Sequence, residues 1–160
     1  MFLNRGGVLS GVLGGWVASG LFQVHSGTPF TPYLPVNNSG SLAGTWFPNR
    51  IGSGHLANPT ISDWFNAADF VQPAFGTYGD SGRDILFGPS WRQLDVSASK
   101  HWKVSKLGEQ ADVQVRLDAS DVLNTPNFSN PNSAIGTPGV GIITGANTSR
   151  SLQFAGKFTF

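Results

Sequence analysis

Three histidines and nine carboxylates, with no cysteine, set the range of chemistry open to this chain. His25, His55 and His101 fall on a strand pattern, in a long irregular stretch and on another strand pattern. None has the close i, i+4 or x3–5 spacing that brings imidazoles onto one ion, so no metal site is expected. Without cysteine, disulfide frameworks, thiolate metal sites and cysteine nucleophiles are excluded together. Gly139-Val-Gly-Ile-Ile-Thr-Gly145 has the flavour of a dinucleotide loop, but its third glycine comes one place late and no βαβ pattern surrounds it. Turn glycines explain it better. A Gly-x-Ser-x-Gly elbow does not occur.

Eight of the nine carboxylates, the aspartates, divide into two groups. Asp95, Asp112, Asp118 and Asp121 lie on or just beyond strand patterns, and Asp63, Asp69, Asp80 and Asp84 lie in a long irregular stretch. A catalytic pair would need two of them in one cleft. Asp118, however, shares a strand face with Arg116 two residues away, so a charge network is the simpler account. Neither catalysis nor a cofactor is expected.

The elements that must position these groups are strands. With 160 residues and a net charge of +1, the chain can bury one core, and nothing in its charge balance points to nucleic acid. Charged residues make up only 12%, about half the usual share, while glycine, at 21 residues, and phenylalanine, at 12, are abundant. Water-facing surface is therefore scarce. No apolar run approaches the roughly 20 residues of a membrane helix. The start, Met1 to Trp16, can be taken for a secretion signal with Arg5 as its charged part. Glycines interrupt its apolar run, and it continues directly into a strand pattern.

Four strands are expected, near residues 12–30, 91–103, 110–123 and 150–160. In the first, Trp16, Ala18, Gly20, Phe22 and Val24 share one parity, with Ser19, Gln23 and His25 on the other. In the second, Leu94, Val96, Ala98 and Trp102 oppose Asp95, Ser97, Ser99 and His101. Lys100 breaks the apolar side, where its stem can follow the apolar band while its ammonium reaches lipid headgroups. The third alternates most regularly: Ala111, Val113, Val115, Leu117 and Ala119 against Asp112, Gln114, Arg116, Asp118 and Ser120. The last places Leu152, Phe154, Phe158 and Phe160 against Gln153, Lys157 and Thr159. Such strands are oily on one side and wet on the other, which is how the wall of a membrane barrel reads.

Connection lengths carry the same implication. The short polar link from Val104 to Gln110, with Gly108 available for a turn, should close an antiparallel hairpin. By contrast, the stretches at 31–90 and 124–149 are long and rich in Gly, Pro, Asn and Thr. Outer-membrane barrels have short periplasmic turns and long outer loops. Four strands running up, down, up and down put the short link inside and both long ones outside. Trp16, Trp102, Phe158 and Phe160 then gather at the periplasmic boundary as an aromatic girdle, with Trp91 and Phe128 marking the opposite one. Asp95, Arg116, Asp118, Gln153 and Lys157 face the lumen. Within the first long loop, Ser62 is placed to cap one helical turn, with Trp64, Phe65 and Phe70 holding the loop together. Those aromatics also suit ligand recognition.

A series of motifs resembles a known family. Gly14-Gly-Trp16, Ser26-Gly-Thr-Pro-Phe-Thr31, Trp64-Phe-Asn-Ala-Ala-Asp-Phe70, Gly76-Thr-Tyr-Gly-Asp-Ser-Gly-Arg83 and Phe87-Gly-Pro89 follow one another as in the C-terminal barrel end of Oar-like TonB-dependent outer-membrane receptors. Leu94-Asp-Val-Ser97, Lys100, Asn124-Thr-Pro-Asn-Phe128 and the closing Arg150 to Phe160 continue the series over nearly the whole chain. The resemblance implies an all-β fold: an antiparallel four-stranded meander with long loops, forming a segment of a larger plugged transmembrane β-barrel of about 22 strands. It also implies a bacterial outer-membrane location and energy-coupled solute uptake.

The partners implied are outer-membrane lipid, the remaining strands and plug of the parent receptor, and the barrel assembly machinery. Phe154, Phe158 and Phe160 resemble the signal that this machinery reads. TonB itself would be reached only through an N-terminal part without counterpart here, so the piece is not expected to work alone. Two rivals come from other classes. One is an oligomeric outer-membrane anchor or adhesin in which each copy donates four strands. The other is a soluble β-sandwich binding module, in which the apolar face would be covered by a second sheet.

Overall fold

The computed structural model describes residues 12, 14–42, 44–104, 111–147 and 149–160. Two expected features, the charged start around Arg5 and the turn residues Ser105 to Gln110, lie outside them. The strands are β1 (Trp16–His25), β2 (Pro29–Phe30), β3 (Asn49–Arg50), β4 (Phe70–Val71), β5 (Leu86–Phe87), β6 (Trp91–Lys103), β7 (Asp112–Ser120) and β8 (Ser151–Thr159). The chain divides into two compact units. The first carries the long strands, and the second consists of His25–Trp91 together with Pro126–Asn147.

In the first unit β1, β6, β7 and β8 form one sheet in the order β1-β6-β7-β8. β6 pairs antiparallel with β7 from Val96 opposite Ala119 to Lys103 opposite Asp112. β7 pairs antiparallel with β8 from Asp112 opposite Thr159 to Ser120 opposite Ser151. On the other side, Trp16 meets Lys100, Ser19 meets Ser97 and Gly20 meets Val96, so numbers rise on β1 as they fall on β6. The fold is all-β, with an antiparallel four-stranded sheet as expected.

Because side chains alternate with period two, this register sorts the residues of all four strands at once. Across β7, Val113, Val115 and Leu117 stand opposite Trp102, Lys100 and Ala98 on β6 and opposite Phe158, Gly156 and Phe154 on β8. One face is therefore apolar over the paired rows, with Lys100 its charged member there and Arg92 sharing its parity at the start of β6. No second layer of described residues covers it: Leu117 is 44% exposed and Phe154 73%. A β-sandwich would bury this face, so the soluble sandwich reading does not hold. The sheet edge on β1 and that on β8 have no neighbour in the sheet among the described residues.

The second unit corrects the expectation of two irregular loops. Phe30, Leu34, Phe65, Phe70, Leu86 and Ile135 form one buried cluster, with Trp46, Trp64, Ala67, Ile85 and Val140 packed against it. Ile135 belongs to the later long stretch, Leu34, Phe65, Phe70 and Leu86 to the earlier one, and Phe30 to the end of the expected first strand. Apolar burial on this scale, about 1.5–3 kcal/mol for each large side chain, is what orders chain of so little regular structure. Two short antiparallel ladders, β2 with β5 and β3 with β4, join distant parts of the earlier stretch. Tyr33 bridges in parallel to Ala134 of the later one.

Two sequence expectations need correction here. The first strand stops at His25 rather than near residue 30, and Pro29–Phe30 turns to pair with Leu86–Phe87 instead. Proline cannot donate to a ladder, and Gly27 lets the chain run against Gly88 so closely that a Cβ there would overlap its carbonyl. The helical turn is a 3-10 turn at Ala67–Asp69 capped by Asn66, not by Ser62. Asn66 wins because its side chain reaches both the Ala68 N–H at 3.2 Å and the Asp69 carboxylate at 2.9 Å.

Candidate functional site

The polar face of the long sheet brings the expected charged residues together. Arg116 Nε donates to the Asp118 carboxylate at 2.9 Å, two positions along β7. Asp118 stands opposite Gln153, and Lys157 stands opposite Gln114. Asp95 accepts from Gln93 Nε2 at 2.8 Å and from the Asp121 N–H at 2.9 Å. Asp121 can offer that N–H because its backbone turns out of the strand at φ 50. Asp95, Arg116 and Asp118, with Ser19 and Ser97, line an open concavity of about 290 Å³. The hydroxyls of Ser19 and Ser97 lie 2.9 Å apart within it.

Among the described residues, the carboxylates of Asp95 and Asp118 are each engaged by neighbours. His101 Nδ1 lies 3.1 Å from Asp112, His55 lies against its own loop carbonyl at Ser53, and His25 stacks on Trp91 at 5.0 Å between ring centres. The three imidazoles thus have three separate surroundings.

On the apolar face, Trp102 and Phe158 flank Val113 in one cross-strand row, and Trp16 lies at the same end of the sheet. Phe158 and Phe160 stack at 5.8 Å. Two boundary aromatics do not belong to this face. Trp91 opens β6 with the parity of Asp95 and packs on His25, while Phe128 bridges to Ala146 in the second unit. Lys100 also departs from expectation. Only 2% exposed, its ammonium does not extend outward but sits over the rings of Trp16 and Trp102 and donates to the Val12 carbonyl at 2.7 Å. A cation held over two aromatic faces keeps a share of the stabilisation that water would give it.

The loop aromatics hold the second unit together. Phe65, 2% exposed, touches Phe30 and Phe70 with ring centres 5.6 and 5.9 Å away, and the Trp64 indole donates to the Phe87 carbonyl at 2.9 Å. Sequence reasoning missed the polar half of this framework. Asp69 is gripped by the Gly54 N–H at 2.7 Å, and Gly52 must lack a Cβ because one would strike the same carboxylate. Buried Asn38 donates to the carbonyls of Pro73 and Ala74 and accepts from Gln72. The pairs are 15 to 36 residues apart, so no local pattern signals them. Gly136, Gly139 and Gly141 all have φ near 80 and serve as turns, the role the sequence suggested.

Neither curated proteins nor solved structures gave a match to this chain. A family model described as an outer membrane beta barrel domain matches residues 1–153. That match covers nearly the whole chain, and it agrees with a sheet whose one face is apolar and uncovered while the other is polar. The protein is accordingly placed in the bacterial outer membrane, and the chain belongs to the outer-membrane β-barrel domain family.

Proposed function

We propose that the chain is a four-strand share of the wall of a TonB-dependent receptor barrel, with its second unit as an outer loop domain, and that it serves energy-coupled solute uptake. The observation that carries this reading is the sheet itself. Its register yields one face apolar but for Lys100 and Arg92 and one polar face, and among the described residues its outer strands β1 and β8 have no further neighbour. Unpaired backbone groups in hydrocarbon cost several kcal/mol each, so such a sheet needs further strands to close it. The motifs shared with Oar-like receptors add support, because Gly27, Trp64, Phe70, Phe87 and Gly88 of that series build one packed unit.

In this reading the apolar face meets lipid, and Trp16 and Trp102 mark one boundary of the hydrocarbon. Asp95, Arg116, Asp118, Gln153 and Lys157 line the lumen, where they meet water or a plug. The chain has a structural and transport role rather than a catalytic one. Phe154, Phe158 and Phe160 present the face that barrel assembly machinery engages.

The oligomeric anchor is the reading to test against, since open edges also suit pairing between copies. The experiment is electrophoresis of outer-membrane fractions with and without heating, detected with an antibody to the second unit. A heat-modifiable band whose fully denatured mass far exceeds that of 160 residues supports the receptor. A band that collapses on heating to the mass of 160 residues alone supports the anchor. Uptake coupled to TonB is then read from solute accumulation that an uncoupler of the proton gradient abolishes.

A further inference from the structure

The charges on the apolar side of the long sheet are of one sign. On β6 the parity of Leu94, Val96, Ala98 and Trp102 also holds Arg92 and Lys100, and Arg150, the residue before β8, has the parity of Leu152 and Phe154. The carboxylates of the same strands, Asp95 on β6 and Asp112 and Asp118 on β7, all take the polar side. Lys100 is held within the sheet over Trp16 and Trp102, whereas Arg92 and Arg150 are both exposed.

Both arginines stand at one end of the sheet. The β7 and β8 ladder closes that end with Ser120 opposite Ser151, and β6 reaches it through the Val122 N–H, which donates to the Leu94 carbonyl at 2.8 Å. Arg150 Nη1 donates to the Val122 carbonyl at 3.4 Å. Its guanidinium therefore leans from β8 over the end of β7 toward β6, where Arg92 lies two positions beyond Leu94. On β1 the register that sets Ser19 against Ser97 and Gly20 against Val96 continues to Val24 against Arg92, and the stack of His25 on Trp91 keeps it in step. Below the arginines on the same side, Val24 is 65% exposed and Leu152 69%.

Such a rim fits one kind of neighbour. It is the end at which the two long connections leave the strands, and the receptor-wall reading, on which this inference rests, places it outside. There the apolar side meets acyl chains, and an arginine stem can lie along them while its head stands at headgroup level. A guanidinium keeps its charge and presents a planar fork that matches two oxygens of one phosphate. Because the strand charges on this side are all positive among the described residues, an anionic phosphate headgroup complements them and a cationic or neutral one does not.

We propose that Arg92 and Arg150 form a docking site for a phosphate-bearing lipid of the outer leaflet, with the headgroup phosphate against the two guanidinium groups and the acyl chains over Val24 and Leu152. The test is native mass spectrometry of the full chain refolded in amine-oxide micelles, which carry no phosphate, to count bound lipid. The probes are diphosphoryl lipid A, the same glycolipid without its phosphates, and inorganic phosphate as competitor. Diphosphoryl lipid A is expected to bind roughly tenfold or more tightly than its dephosphorylated form, and millimolar inorganic phosphate should not displace it. Arg92→Gln and Arg150→Gln should each weaken binding severalfold, while Arg92→Lys with Arg150→Lys keeps the charge and should retain most of it. Arg116→Gln, on the polar side, should leave binding unchanged. Equal binding of both lipids, displacement by inorganic phosphate, or a loss from Arg116→Gln as large as that from the two arginine changes together would overturn the assignment. The electrophoresis described above judges the receptor reading separately: a heat-modifiable band of high denatured mass, together with equal binding of both lipids, removes this site and leaves the receptor standing.

Discussion

The Lys100 ammonium lies 5.0 Å from the centre of the Trp102 ring, on a sheet face where its neighbours along β6 are Ala98 and Trp102. The charge is held there by aromatic rings and the Val12 carbonyl. Removing the side chain should be costly in proportion to what remains to fill the space. Lys100→Ala is expected to lower stability by about 3 kcal/mol, and Lys100→Met, which keeps the stem, by about 1 kcal/mol. Lys100→Glu should be worst, since it turns a negative group toward two ring faces and a carbonyl oxygen. Urea midpoints of the refolded chain in micelles give the order.

The two faces should respond oppositely to charge. Leu117→Arg places a guanidinium on the apolar face near its middle and should cost about 2–4 kcal/mol in a bilayer. The double change Arg116→Gln with Asp118→Asn removes a half-exposed ion pair and should cost under about 1 kcal/mol. Folding titrations in lipid vesicles compare them directly. Equal losses would mean that the apolar face does not meet lipid.

For assembly in the cell, Phe158→Asp and removal of Phe160 are each expected to reduce the heat-modifiable barrel in outer-membrane fractions. Both residues lie in the stacked pair at the end of β8. Undiminished barrel would remove these aromatics from the assembly role.

Glycine positions offer a finer contrast. Gly27→Ala should disrupt the β2 and β5 pairing, because the new methyl overlaps the Gly88 carbonyl and the backbone must move. The expected loss is about 3 kcal/mol or more. Gly156→Ala, in open space on the apolar face, should be neutral to within about 0.5 kcal/mol. Hydrogen exchange of the Gly88 N–H, which donates to the Thr28 carbonyl at 2.9 Å, reports the first change, and a urea titration reports the second.

The long sheet was legible because its information is local. Val113 to Ala119 and Leu152 to Phe158 repeat with period two, and a single parity decides which side each residue takes. Trp91 departs from its expected role by the same logic: its place at the far end of β6 suggests a boundary aromatic, but its parity is that of Asp95. The second unit was illegible for a physical reason. Phe30, Leu34, Phe65, Phe70, Leu86 and Ile135 meet without any period, and the pairing of Asp69 with Gly54 or of Asn38 with Pro73 depends on contacts far apart in the chain. The burial of Lys100 likewise needs Trp16 from another strand.

Ile135 fills a cluster otherwise supplied by Phe30 and the stretch that follows it, and Tyr33 trades backbone bonds with Ser133 and Ile135. These two stretches cannot diversify separately. A residue inserted near 135 displaces the partner of Tyr33, so length changes there should be accompanied by compensating changes near 33.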